Sequence, residues 1–443
     1  MKRDILEDIF NRRDRLRSGM LNGIPTPFTR FHEDFPLICR GRSYGVTAST
    51  KGAKSQFVNW LFVFNVLEYA YANQDKVRVK IVYYSLEEQP EDLFKRWICY
   101  LLRKRRGWKV SLSELNSDEV ELRQEVLNEI TSDGMVALMD WYEESVSLRT
   151  ESRPEVIIRE LEDDLAKEGE VVYEDVEDEL GEMTKVPKSY KPHDDKLYFI
   201  SVIDHVSLLS EMPGKDLRQT LVWFSREYNV RMRNFYKCIP VCVQQQDFAG
   251  DRQSSKEASK GEPTRAGASD SKYLARDLSM LIGVYAPSHF GVPEYLGYDI
   301  MRLKDRCRFI SVLANRHGVI GGKIGMRFIG ECAWFEELPK PGDQRLEEYY
   351  EMVDIYGRKA IARKPETTEG GQVLDSLFGD KIGFMAIKLR KMCHDIYCTD
   401  DHGTKKILCI KYGKPSTAKV NKIITKMKNR WVFMINKIKK IKK

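Results

Sequence analysis

The chain has 443 residues, 42% of them hydrophobic, enough to build the core of one large or two ordinary domains. No apolar run reaches the ~20 residues needed to cross a bilayer, and the charged start MKRDILEDIFNRRDRLR lacks the apolar centre of a secretory signal, which excludes the membrane and secreted classes. Nine scattered cysteines without framework spacing fit reduced thiols in a cytoplasm, and the net charge of +7 is unevenly placed, with an acidic stretch at Glu151–Glu182 and a basic, acid-free end at Lys419–Lys443.

Residues 1–20 read as an amphipathic helix, with Ile5, Ile9 and Leu16 near one face. Alone it would be marginal, so it packs either locally or on a neighbouring subunit. Asn22-Gly23-Ile24-Pro25-Thr26-Pro27 ends it.

The stretch Ser43–Gln56 opens with strand-forming residues, passes through a small-residue turn and runs into an apolar helix, Phe57–Leu67. Strand, tight loop, Lys-Ser, helix is the layout of a phosphate-cradling loop. Backbone N–H groups at the helix start face the anion, a lysine adds charge for the β/γ-phosphates, and a serine hydroxyl ligates Mg²⁺. In the register of G-x-x-x-x-G-K-[ST] the loop is Ala48, Ser49, Thr50, Lys51, Gly52, Ala53, Lys54, Ser55, with Gln56 next. Lys54 is then the phosphate lysine and Ser55 the magnesium residue. Both glycine positions hold alanine, and Gly52 sits one residue early. A positive φ at position 53 would strain an alanine there by roughly 1 kcal/mol. An ordinary βα turn with an exposed lysine is the bland alternative.

Val77–Tyr84 is a strand running into Ser85-Leu86-Glu87-Glu88, followed by Pro90 and a helix over Asp92–Arg103. A carboxylate at a strand end sits at the rim where α/β folds place ligands, and Glu87 there can polarise an attacking water; a helix-start glutamate reads the same way. In Glu151–Glu182 a helix over Glu155–Lys167 is expected, and the remainder of 151–195 reads as a solvated surface insertion. Leu197–Asp204 is a buried-type strand closing on Asp204-His205, where the carboxylate can support a metal, often through water, or cap the next turn. Asp216–Tyr236 is a long helix. Cys238–Val243 is another core strand, ending in Gln244-Gln245-Gln246, where an amide can sense a γ-phosphate. Asp247–Ser271, rich in Gly, Ser and base, follows. Its Arg252, Lys256, Lys260 and Arg265 can track a phosphodiester backbone, or the loop is simply solvated.

Ser279–Tyr285 is a further strand. Cys307–Leu313 and Lys323–Phe328 pair around Asn315-Arg316-His317-Gly318, and Gly330–Leu338 closes the sheet. Beyond Pro339 come a helix over Leu346–Arg363, a linker at Glu366–Gly371 and the basic tail. Cys393, His394, Cys398, His402 and Cys409 invite a zinc reading, but their spacing fits no standard finger.

Strand–loop–Lys-Ser, strand–Ser-Leu-Glu, strand–Asp-His and strand–Gln, in that order, resemble the RecA-like core of hexameric replicative DNA helicases of the DnaB type and their phage relatives. The likeness runs from Ile24 to Leu338. The resemblance implies an α/β P-loop NTPase fold with a mostly parallel twisted sheet, divided into an N-terminal linker helix (1–22), an ATPase domain (23–338) and a C-terminal extension with a poorly defined basic tail (339–443). It implies ATP and Mg²⁺, Glu87 as catalytic glutamate, Asp204 as second magnesium contact, Gln246 as γ-phosphate sensor and Arg316 as an arginine finger in trans. It further implies a homohexameric ring on single-stranded DNA, working with a primase or a helicase loader, in a bacterial or phage-infected cytoplasm. Departures are Ala48 and Ala53 in the loop and Ala314 where the family often has a second, lysine finger; the family's N-terminal primase-interacting domain has no counterpart, so residues 1–20 alone could serve as linker. A filament-forming recombination ATPase, or a nucleotide-gated DNA-binding protein that does not hydrolyse, would use the same core motifs.

Overall fold

Strands buried on both faces lack polar alternation and read as continuous apolar runs. Several runs of this kind lie side by side here. The computed structural model describes residues 2–119, 121–177, 183–246, 261–268, 272–362, 393–399 and 405–411, and the chain divides into two units, Met1–Val353 and Asp354–Lys443.

The first unit is built on a nine-stranded sheet. Its strands are β1 (Tyr44–Ala48), β2 (Arg78–Ser85), β3 (Val146–Arg149), β4 (Leu197–Asp204), β5 (Ile239–Gln245), β6 (Met280–Tyr285), β7 (Cys307–Asn315), β8 (Lys323–Ile329) and β9 (Trp334–Glu337). The spatial order is β9-β8-β7-β6-β1-β5-β4-β2-β3. From β6 to β3 every neighbour is parallel, whereas β7, β8 and β9 add on in antiparallel fashion. The expected mostly parallel sheet with a terminal hairpin and edge strand is therefore the observed one.

Side chains along a strand alternate between the two faces, and each face has its own core. Val79, Ile81 and Tyr83 of β2 with Tyr198, Ile200 and Val202 of β4 enter one. Val82 and Tyr84 with Leu197, Phe199 and Ile203 enter the other. On the first face lies α2, one continuous helix formed of Lys54–Val58, a π-helical stretch Asn59–Phe64 and Asn65–Ala72. Every side chain of the π stretch is buried, which explains its all-round apolar sequence. Beside it packs α3 (Pro90–Arg106), opened by Pro90 in its first turn and closed by Gly107 at φ 71°. On the second face lie α4 (Pro154–Glu168) and α5 (Leu217–Phe224), the latter started by a reciprocal cap between Asp216 and Gln219.

The acidic segment needs correction. Its first part, α4, buries Ile157, Leu161 and Leu165 against the sheet and belongs to the core. The carboxylates occupy its solvent side. The surface insertion is confined to a two-stranded ribbon, Gly169–Glu177 paired with Met183–Pro192, exposed along nearly its whole length.

At the N-terminus α1 (Lys2–Arg17) is the expected amphipathic helix, but its apolar face is uncovered: Ile5, Ile9, Phe10 and Leu16 are each more than half exposed. The second unit contains the antiparallel pair Cys393–Thr399 and Lys405–Lys411, which places Cys393, His394 and Cys398 on one strand and Cys409 on the other. His402, the linker Glu366–Gly371 and the tail Lys419–Lys443 lie outside the described residues.

Candidate functional site

Parallel strands all end at the same edge of a sheet, and the register here aligns their last residues. Ala48 pairs with Gln245 and Ser85 pairs with Asp204. The segments leaving these strands therefore meet at one rim.

The loop after β1 is held tightly. The Gly52 N–H donates to the Ser49 carbonyl at 2.9 Å. Ala53 sits at φ 72°, ψ 30°, in the left-handed region, immediately before the first turn of α2. The strain anticipated for an alanine at this position is thus present. Gly52 answers a different need: a Cβ there would lie 2.9 Å from both the Ala48 Cβ and the Ser49 oxygen. Ser49 is buried in the turn, Thr50 and Lys51 are exposed, and the Gln56 Oε1 is buried without a hydrogen-bond partner among the described residues. The first N–H groups of α2 have no intrahelical acceptor, so they present donors at the loop.

Four charged or polar side chains gather there. Lys54 is 7% exposed, and its Nζ lies 3.8 Å from Glu87 Oε2. His205 Nε2 stands 3.6 Å from the same oxygen. The Ser55 hydroxyl donates to Asp204 Oδ1 at 3.1 Å, and the Tyr83 hydroxyl donates to Asp204 Oδ2 at 2.7 Å. Burial pushes the Asp204 carboxyl above its ordinary range; the hydrogen bonds from Tyr83 and Ser55 and the Lys54 charge pull the other way, and Glu87 adds to the rise. Burial, then Lys54, pushes the His205 imidazole down, against the pull of Glu87. The Asp204–His205 peptide is cis.

The donor set suits a hard divalent cation. Ser55 and Asp204 offer only oxygen. Two protein ligands leave the remaining positions to phosphate oxygens and water, the arrangement Mg²⁺ favours. Among the described residues no group of three or more His, Cys, Asp or Glu forms a cage of its own.

The three glutamines divide by strand phase. The amide of Gln246 is buried: Thr47 Oγ1 donates to its Oε1 at 3.0 Å, and its Nε2 donates to the Thr264 carbonyl at 3.2 Å. Gln244 likewise donates to the Ala268 carbonyl. Gln245 points the other way and donates to Thr50 Oγ1 of the loop at 2.7 Å. Gln245 was missed from the sequence; the strand period of two could have separated it from its neighbours. Tyr83 was also missed, a residue that gives no sign of its partner until β2 and β4 are known to pair.

Arg316 lies elsewhere. Its Nε donates to the Leu278 carbonyl at 2.9 Å, and its guanidinium also reaches the Arg276 carbonyl. Asn315, the residue before it, pairs with Met280, and Met280 pairs with Tyr44 at the start of β1. The loop follows the opposite end of that strand, roughly 13 Å away by strand rise alone. Of the four basic residues expected to follow nucleic acid, Arg265 is exposed in the turn Gly261–Ala268, and Arg252, Lys256 and Lys260 lie outside the described residues.

Compared by sequence, the chain matches no protein-family model and no curated protein. Compared by structure, it is similar to a solved ATPase domain of the DnaB-like replicative helicase group, with 14% identity, 76% of this chain and 99% of that one covered, and a TM-score of 0.50. It is also similar to a DnaB-like replicative helicase whose structure was described with its interactions with primase, at 14% identity, covering 75% of this chain and 66% of that one, with a TM-score of 0.51. The fold is therefore the RecA-like α/β fold of DnaB-like helicase ATPase domains.

Proposed function

We propose that this chain is an ATP-dependent DNA helicase that works as a ring, probing single-stranded DNA with its central loops while nucleotide is held between subunits. The observation that supports this most is the convergence of Lys54, Ser55, Glu87 and Asp204 at the carboxyl ends of the parallel strands. In this reading Ala48–Gln56 wrap the triphosphate and Lys54 neutralises it. Ser55 and Asp204 hold Mg²⁺, which when bound screens the phosphate charge. Glu87, exposed and beside His205, orients and deprotonates the attacking water.

Gln246 couples the state of the site to the segment beyond it through Thr264, and Gln245, on the loop side, is the amide placed to touch phosphate. Arg316, at the far end of the strands, serves the neighbouring subunit's nucleotide, where such a finger contributes about 10³–10⁵ in rate in related chemistry. Six subunits, an α1 face laid on the next protomer, and contacts to a primase or loader complete the proposal. Arg265, with Arg252, Lys256 and Lys260, would follow the DNA backbone.

A second reading, a nucleotide-gated DNA-binding protein that does not turn over, is favoured by the strained Ala53. Phosphate release with and without single-stranded DNA separates the two. The helicase reading expects DNA-stimulated release that Lys54→Ala and Glu87→Gln each lower by about 10² or more. Release equal to the parent in both variants would reject the catalytic assignment, and no release from the parent would favour the gated protein.

A further inference from the structure

Arg308 lies on β7, in the antiparallel part of the sheet, and is 2% exposed. An arginine withdrawn from water needs its donors satisfied. Here Nε donates to the Gly52 carbonyl at 3.1 Å. One terminal nitrogen donates to the carbonyls of Cys307 at 2.7 Å and Asp305 at 3.2 Å. The other lies 2.9 Å from Asp305 Oδ1. The guanidinium also rests 4.2 Å from the centroid of the Phe328 ring. Of these partners only Gly52 is distant in sequence from Arg308 and on another part of the sheet, and it belongs to the loop before Lys54.

A trans peptide is planar, so its carbonyl and the following N–H point in opposite directions. Arg308 approaches from the interior. Holding the Gly52 carbonyl inward therefore turns the Ala53 N–H outward, toward the open side of the loop. The same plane governs the Ala53 backbone, because rotating the Gly52–Ala53 peptide changes φ of residue 53. Ala53 sits at φ 72°, where its Cβ is penalised. Without an anchor on that carbonyl the alanine relaxes toward negative φ and carries its N–H away from the loop's open side.

We propose that Arg308 is a positioning residue for the nucleotide phosphates, fixing the Gly52–Ala53 peptide so that a loop with alanine at position 53 still offers its N–H to the anion. The inference rests on the phosphate-loop reading above. Arg308 never meets the ligand; it acts through one carbonyl, from a strand that does not border β1.

The test is a cycle of full-length variants, Arg308→Met, Ala53→Gly and the two combined, titrated with N-methylanthraniloyl-ADP and Mg²⁺ and melted in parallel. Arg308→Met weakens binding about tenfold, the scale of one lost charged hydrogen bond. Ala53→Gly restores most of that loss, because glycine adopts the left-handed conformation without an anchor. A purely structural arginine gives no such rescue. Unchanged affinity in Arg308→Met, or the same fold-loss with alanine or glycine at position 53, overturns the proposal. Should Arg308→Met not fold, Arg308→Lys replaces it, keeping the buried charge but not the fork; it too must lose affinity and regain it with Ala53→Gly, and failure of either overturns the proposal. A parent chain that binds no nucleotide rejects the function reading itself, a result distinct from either.

Discussion

Ser55 and Asp204 are joined by a 3.1 Å hydrogen bond from the hydroxyl to Oδ1, which ties the first turn of α2 to the end of β4. A buried carboxylate is thereby kept beside the phosphate lysine with only hydroxyl donors in direct contact.

A pH signature follows from that burial. The folded-state pKa of Asp204 lies above its ordinary value, about 3.9 in an unfolded chain. The folded chain then binds this proton more tightly, so the contribution to stability is present at low pH and falls as pH rises from about 4 through the folded value. Asp204→Asn removes that slope. Thermal unfolding of the nucleotide-free protein between about pH 4 and 7 should show the variant gaining on the parent as pH rises. Parallel curves would mean that the Asp204 charge costs the fold nothing.

Gln245 and Gln246 should part company. Gln246 bridges Thr47 and Thr264 in the interior, so Gln246→Ala leaves buried partners unmet and lowers stability by about 1–3 kcal/mol. Gln245 meets the loop at Thr50, so Gln245→Ala should leave melting nearly unchanged and slow turnover by roughly tenfold or more. Denaturant unfolding and steady-state phosphate release of both variants check the division; the reverse pattern would assign the phosphate contact to Gln246.

Arg316 stands at the far end of β1 from its own loop, so its effect on catalysis must come through a second subunit. Arg316→Ala subunits mixed with the parent should depress activity more than their share, since each removes a finger from a neighbour whose own loop is intact. A linear dependence on the fraction of variant would rule out action in trans.

The uncovered face of α1 makes the fourth case. Ile9 and Phe10 are 53% and 54% exposed, so Ile9→Glu with Phe10→Ser should change the isolated subunit's stability by no more than about 0.5 kcal/mol each. Burial of each side chain on a neighbour would contribute about 1.5–3 kcal/mol to assembly. Sedimentation with Mg²⁺ and nucleotide should show the ring lost in the double variant. Unchanged assembly would send α1 back to a local role.

Much of this protein is written in short-range pattern. The strands that became β2, β4 and β6 are legible because burial on both faces leaves no polar alternation, and the loop register up to Lys54-Ser55 is legible because an anion needs donors, a lysine and a hydroxyl at fixed spacing. The positive φ of Ala53 follows from the same register. Asp216 and Gln219 announce their helix start, and Pro90 its own.

Other features waited for the tertiary structure. Acidic composition hid the apolar stripe Ile157, Leu161, Leu165 that places α4 in the core. Which glutamine faces the loop depends on the phase of β5, set by its pairing with β1 and β4. Arg308 meets Gly52, and Tyr83 meets Asp204, across more than a hundred residues of chain. Local sequence specifies how a segment folds, because its own neighbours supply the turns, caps and periodicity. Which side chains share a site is settled by strand order and register, and those arise only when distant segments bury their faces together.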